Sequence, residues 1–159
     1  MKLIFAIAAA ALATCTNAQI LAAGVYNLYN TATNTNLDSC FCSTANGTVP
    51  LTATTGNGSN YQKWIVDILP GGLFSLKNYA RNAYAVAPGT PVIGTTVVTD
   101  PTAGAFGWQI IRNGNANEFS FAVPNQNLYL NLAAPNNQGD AVKLANITSS
   151  STFWTFTQI

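Results

Sequence analysis

The chain contains no histidine, which removes the Ser-His-Asp and Cys-His arrangements of nucleophilic catalysis. Its acids in the body of the chain are Asp38, Asp67, Asp100, Glu118 and Asp140. A glycoside hydrolase needs two carboxyl groups facing each other about 5–10 Å apart. The repeat pattern of the chain places none of these five at equivalent, facing positions. Of the three cysteines, Cys15 lies in an N-terminal segment expected to be cleaved, leaving Cys40 and Cys42. In an extended strand such a pair points both thiols to one face at about the limit for bridging, so a local disulfide forms only if the backbone bends there. As zinc ligands they would need two further partners, and with no histidine and no other cysteine no metal site is expected. No glycine-rich nucleotide loop is present. What remains is binding chemistry, with no enzyme activity and no cofactor expected.

The charges narrow the partner. Lys63, Lys77, Arg81, Arg112 and Lys143 balance the five acids, and they are scattered. Nucleic acid binding draws on clustered Lys and Arg, so nucleic acid is not an expected partner, and attraction to anionic membranes is disfavoured for the same reason. Charged residues are 7% of the chain, against roughly 25% in an average soluble domain. Asn, Thr, Ser and Gly fill the polar positions instead, which fits a protein kept soluble by uncharged side chains and glycans, or a surface suited to neutral sugars. Sequons at Asn46-Gly47-Thr48, Asn57-Gly58-Ser59 and Asn146-Ile147-Thr148 are glycan acceptors for a glycoprotein of eukaryotic origin.

The first residues read as an export signal. Met1-Lys2 precedes an apolar run from Leu3 to Ala13, and Thr14, Thr16 and Asn17 end it. The run covers about half of the ~20 residues a membrane-crossing helix needs, so no membrane insertion is expected. Small Thr16 and Ala18 place cleavage after Ala18. The expected mature chain is secreted, extracellular, and a single domain of residues 19–159.

The elements that must position any binding residue are short strands. Runs rich in Val, Ile, Tyr, Phe and Thr alternate with Asn-, Gly- and Pro-containing breaks, and no 3.6-residue apolar period is sustained, so the chain reads as all-β. Trp64, Trp108 and Trp154 lie 44 and 46 residues apart, and laying the chain on itself reveals three imperfect repeats of about 24–71, 72–116 and 117–159. Tyr26, Phe74 and Phe119 align. Twelve residues after them come Asp38, Val86 and Asn131. Gly47-Thr48, Gly89-Thr90 and Gly139-Asp140 follow, and each copy closes on its tryptophan. Each copy is a sheet fragment unable to bury its own apolar face, so three must share one core. The tryptophans and the Tyr26 set are expected in that core.

These residues resemble the ricin B-chain-type β-trefoil lectins, whose repeats carry a Y-L-D-V … N-G-T … N-Q-x-W pattern. Repeat one supplies Asn36-Leu37-Asp38, Asn46-Gly47-Thr48 and Tyr61-Gln62-Lys63-Trp64; repeat two Tyr84-Ala85-Val86, Gly89-Thr90 and Trp108; repeat three Tyr129-Leu130-Asn131, Gly139-Asp140 and Trp154. The resemblance covers nearly the whole mature chain, with one complete Q-x-W. It implies a β-trefoil of three four-stranded repeats, six strands closing a barrel and six forming three capping hairpins. It also implies shallow pockets for glycans or glycoconjugates, with Asp38, Tyr61, Gln62 and Asn131 as the carbohydrate-binding residues.

By that resemblance Asp38 accepts hydrogen bonds from adjacent sugar hydroxyls; the other reading is that it caps a β-turn. Loss of Asp38 separates them, since the first predicts lost binding at unchanged stability and the second lost stability. The family's stacking aromatic is missing, its positions falling on Ala53, Thr95 and Ala145 when counted from the glycines. Tyr61 either replaces it or belongs to the core. Val86 cannot accept a hydrogen bond, and Asn131 keeps an acceptor without the charge. The rival reading is a β-trefoil protease inhibitor working through a long, exposed loop, for which the segment from Thr95 to Gly104 makes repeat two slightly longer. A third is a structural or defence protein with degenerate pockets.

Overall fold

The computed structural model describes residues 21–39, 47–114, 117–132, 139–146 and 150–159. The expected leader to Ala18, the Cys40–Cys42 pair and Asn46 lie outside them. Thirteen strands are present among the described residues. Repeat one contributes β1 (Gly24–Asn30), β2 (Thr35–Asp38), β3 (Val49–Pro50), β4 (Thr52–Thr54) and β5 (Lys63–Leu69). Repeat two contributes β6 (Leu73–Asn78), β7 (Tyr84–Val86), β8 (Val98–Asp100) and β9 (Gln109–Arg112). Repeat three contributes β10 (Glu118–Ala122), β11 (Tyr129–Asn131), β12 (Lys143–Ala145) and β13 (Trp154–Gln158). Twelve strands become thirteen because Leu51 divides the third strand of repeat one.

Six of these strands close on themselves. β1 pairs β5, β5 pairs β6, β9 pairs β10, β10 pairs β13 and β13 pairs β1, all antiparallel. Reciprocal bonds between Phe74 and Trp108, N to O at 2.9 and 2.8 Å, supply the remaining β6–β9 link. Closure leaves the barrel no free edge. The hairpins β2–β4, β7–β8 and β11–β12 stand outside it. They join through a ring of backbone bonds: Leu51 N to Val97 O at 2.8 Å, Val97 N to Val142 O at 3.0 Å, and Val142 N to Leu51 O at 2.8 Å.

The three-fold relation extends to side chains. Trp64, Trp108 and Trp154 are fully buried. Their indole nitrogens donate to Leu37 O, Ala85 O and Leu130 O at 3.0, 3.0 and 3.3 Å. That satisfies the one polar group each ring carries into the core. Asn34, Asn82 and Asn125 turn the chain at φ 57°, 54° and 59°, a conformation asparagine adopts more readily than most residues. A closed barrel with three hairpins on a three-fold axis is a β-trefoil.

Register corrects two expectations. Ala53, Thr99 and Leu144 pair opposite Leu37, Ala85 and Leu130; Thr95 and Ala145 are not Ala53's equivalents, because Gly89 sits further from the ring than Gly47, and Gly139 sits nearer. All three true equivalents are buried in the sheet. Leu51, Val97 and Val142 stand 13, 11 and 12 residues before their tryptophans, so the segment leading to Trp108 is the shortest of the three rather than the longest.

Candidate functional site

The three hairpin faces carry the same geometry with different chemistry. In repeat one, β2 and β4 bring Asn36 opposite Thr54 and Asp38 opposite Thr52. The short 3₁₀ turn Asn60–Gln62 then delivers Gln62 beneath them. Asp38 is only 3% exposed and Gln62 fully buried. A buried carboxylate is costly unless hydrogen-bonded, and this one accepts at Oδ2 from Thr54 Oγ1 at 2.7 Å and Gln62 Nε2 at 3.1 Å.

Gln62 is a hub. Its Nε2 also meets Thr54 Oγ1 at 2.7 Å and Thr55 O at 3.0 Å, while its Oε1 accepts from Asn36 Nδ2 at 3.3 Å and Asn57 N at 3.0 Å. One side chain thus ties β2, β4 and the 55–59 loop together.

Tyr61, 39% exposed, lies at the surface beside this hub. Its carbonyl accepts from Ser39 N at 3.2 Å and Asn78 Nδ2 at 2.7 Å. The Arg81 guanidinium lies 5.6 Å from the centre of the Tyr61 ring, and Arg81 Nε donates to Ser39 O at 2.8 Å. Ring and cation therefore hold each other in place.

At the matching position in repeat two, Phe106 stands where repeat one has Gln62 and packs on Trp108 with centroids 4.8 Å apart. With Val86 buried in β7, the positions held by Asp38 and Gln62 in repeat one are both apolar here. In repeat three, Ser151 and Thr152 replace Tyr61 and Gln62, and Ser151 Oγ bonds Asn131 Oδ1 at 2.7 Å. Of the sequence-read residues, the structure bonds Asp38 to Gln62, sets Tyr61 next to them through the Ser39 N to Tyr61 O bond, and leaves Asn131 in another hairpin. Thr54, Asn36, Asn57 and Arg81 are not among the site residues expected from the sequence. A period-two reading of Thr52-Ala53-Thr54 against Asn36-Leu37-Asp38 contains the signal for the first two; Arg81 arrives from repeat two and carries none.

The β-trefoil so defined has close counterparts among solved structures. A Macrolepiota procera ricin B-like lectin in complex with lactose matches at 24% identity and TM-score 0.77, covering 87% of this chain and 99% of that one. The Rhizoctonia solani agglutinin matches at 23% identity and TM-score 0.78, covering 87% and 97%. A proteinase inhibitor from Coprinopsis cinerea shares the fold at 13% identity and TM-score 0.70, covering 87% and 99%. No protein-family model and no curated protein matches the sequence. At these identities the likeness establishes the fold.

Proposed function

We propose that this protein is secreted and binds carbohydrate without catalysing a reaction, and that the repeat-one face is its principal site. The observation that carries this reading is the exposed Tyr61 ring, held by Arg81 and next in the chain to Gln62 of the buried Asp38–Gln62 hub. An aromatic ring offers an apolar surface for the C–H face of a sugar, and fixing it in advance lowers the entropy lost on binding. The amides of half-buried Asn36 and exposed Asn57 border the same loop and supply donors and acceptors for hydroxyls. Asp38 and Gln62 act from beneath, as positioning residues, and Asn131 with Ser151 forms a weaker second face. Lectin neighbours on the same fold support this reading. A glycan array with the mature chain, followed by titration of the best ligand into wild type and Tyr61→Ala, tests it.

A second reading rests on repeat two. Val92 and Ile93 are 59% and 61% exposed, on a turn closed by Thr95 N to Val92 O at 3.1 Å. Such a tip is the part of this surface suited to a protease's apolar specificity pocket. The connection 87–97 has the same length as 132–142, so the long loop expected of an inhibitor is not found there. Assays against elastase- and chymotrypsin-type proteases separate this reading from the first.

A further inference from the structure

Among the three sequons, the one at Asn57-Gly58-Ser59 is described in full, and it lies on the rim of the repeat-one face. The 55–59 loop is fixed by the hub: Gln62 donates to Thr55 O at 3.0 Å and accepts from Asn57 N at 3.0 Å. Gly56 passes so close to Asn36 that an added Cβ would stand 2.8 Å from Asn36 Nδ2. Asn57 itself is exposed, and its Oδ1 accepts from Ser59 N at 2.9 Å. The sequon is thus a compact surface turn with the asparagine side chain at its crest, anchored to the side chain that braces Asp38.

We propose that Asn57 carries an N-linked glycan, and that this glycan covers the repeat-one face and lowers its affinity for external sugars. The modification forms a bond from Asn57 Nδ2 to the anomeric carbon of an oligosaccharide carried on a lipid diphosphate. The bond from that carbon to the diphosphate oxygen breaks, the lipid diphosphate leaves, and the amide gives up one proton. Because Asn57 N donates to Gln62 Oε1, the first sugar of the chain is rooted at the hub of this face. A tethered sugar competes at high effective concentration, which a weak site cannot ignore. The inference rests on the carbohydrate-binding reading of this face and adds its regulation.

Ser59 provides a clean test, since its hydroxyl makes no capping bond to the following turn. The full chain and its Ser59→Ala variant are secreted from a yeast host, and occupancy at Asn57 is measured by peptide mass mapping. Binding to immobilised asialofetuin is then measured for both. The expected result is a glycan at Asn57 in most wild-type molecules and at least fivefold tighter binding by Ser59→Ala. A bare Asn57 in the secreted wild type overturns the inference whatever the binding. Equal binding by the two proteins with Asn57 occupied overturns the masking. If neither Ser59→Ala nor unglycosylated bacterial protein binds asialofetuin or any arrayed glycan, the carbohydrate-binding reading fails, and the masking with it.

Discussion

Gln62 Nε2 lies 3.1 Å from Asp38 Oδ2, with both side chains buried. The bond joins residues 24 positions apart and makes each the condition of the other. Removing Gln62 takes one hydrogen bond from Asp38 Oδ2 and the shared acceptor from Asn57 N and Asn36 Nδ2, and a buried group that loses its partner costs about 1–3 kcal/mol. Gln62→Ala is therefore expected to lose more than about 2 kcal/mol in urea unfolding. Asp38→Ala removes the acceptor shared by Thr54 Oγ1 and Gln62 Nε2 and is also expected to lower stability, so unchanged melting of either variant would show the hub to be energetically idle.

The three tryptophans occupy equivalent buried sites, so Trp→Ala at 64, 108 or 154 is expected to cost about 3–5 kcal/mol each. Fluorescence-monitored denaturation of the three variants checks this. A loss below about 1 kcal/mol at any one of them contradicts the shared core.

Repeats are also stapled by buried asparagines. Asn30 Nδ2 donates to Ser151 O at 3.0 Å and Asn78 Nδ2 to Tyr61 O at 2.7 Å, each reaching the turn before the neighbouring tryptophan. Val123 holds the third position and has no amide. Asn78→Ala and Asn30→Ala are expected to destabilise by about 1–3 kcal/mol. Val123→Ala removes only two methyl groups, and in hydrogen exchange the junction of repeats three and two is expected to open first.

Much of this architecture was legible in the sequence. The Tyr26, Phe74 and Phe119 set and the tryptophans mark the core because each repeat must bury the same positions. Asp38, Val86 and Asn131 proved equivalent by the indole bond to the residue before each. The glycine landmarks misled, since a glycine marks a turn wherever one falls in a connection, whereas register is set by the Leu51–Val97–Val142 ring. Burial of Asp38 was hidden for a different reason: it depends on Thr54 and Gln62 converging from separate strands, and local sequence does not encode that convergence.

Asp100 is the residue whose titration should register. The Thr102 hydroxyl, then the Thr102 and Ala103 backbone N–H groups, hold its carboxyl below the usual carboxylate range. A depressed carboxylate contributes stability that is present above its unfolded pKa and lost as pH falls through the lower folded value. The melting difference between wild type and Asp100→Asn is thus expected to be largest at neutral pH and to vanish in strong acid. A difference that grows on acidification contradicts this.

Processing gives an independent check on the secreted reading. Deglycosylated material collected from a eukaryotic culture medium is expected to begin at Gln19 by intact mass. A species retaining Met1 to Ala18 contradicts it.

The central claim is that sugar is bound on the repeat-one face through Tyr61. An exposed side chain of this kind contributes within about 0.5 kcal/mol to stability, so Tyr61→Ala should leave the melting temperature nearly unchanged. A shallow site should bind a simple sugar with Kd on the order of 1 mM. Calorimetric titration of unglycosylated wild type and Tyr61→Ala with the best arrayed glycan is the direct measurement. The account predicts at least tenfold weaker binding by the folded variant. Equal affinity in the two proteins, or loss of binding in Asn131→Ala instead, would contradict it.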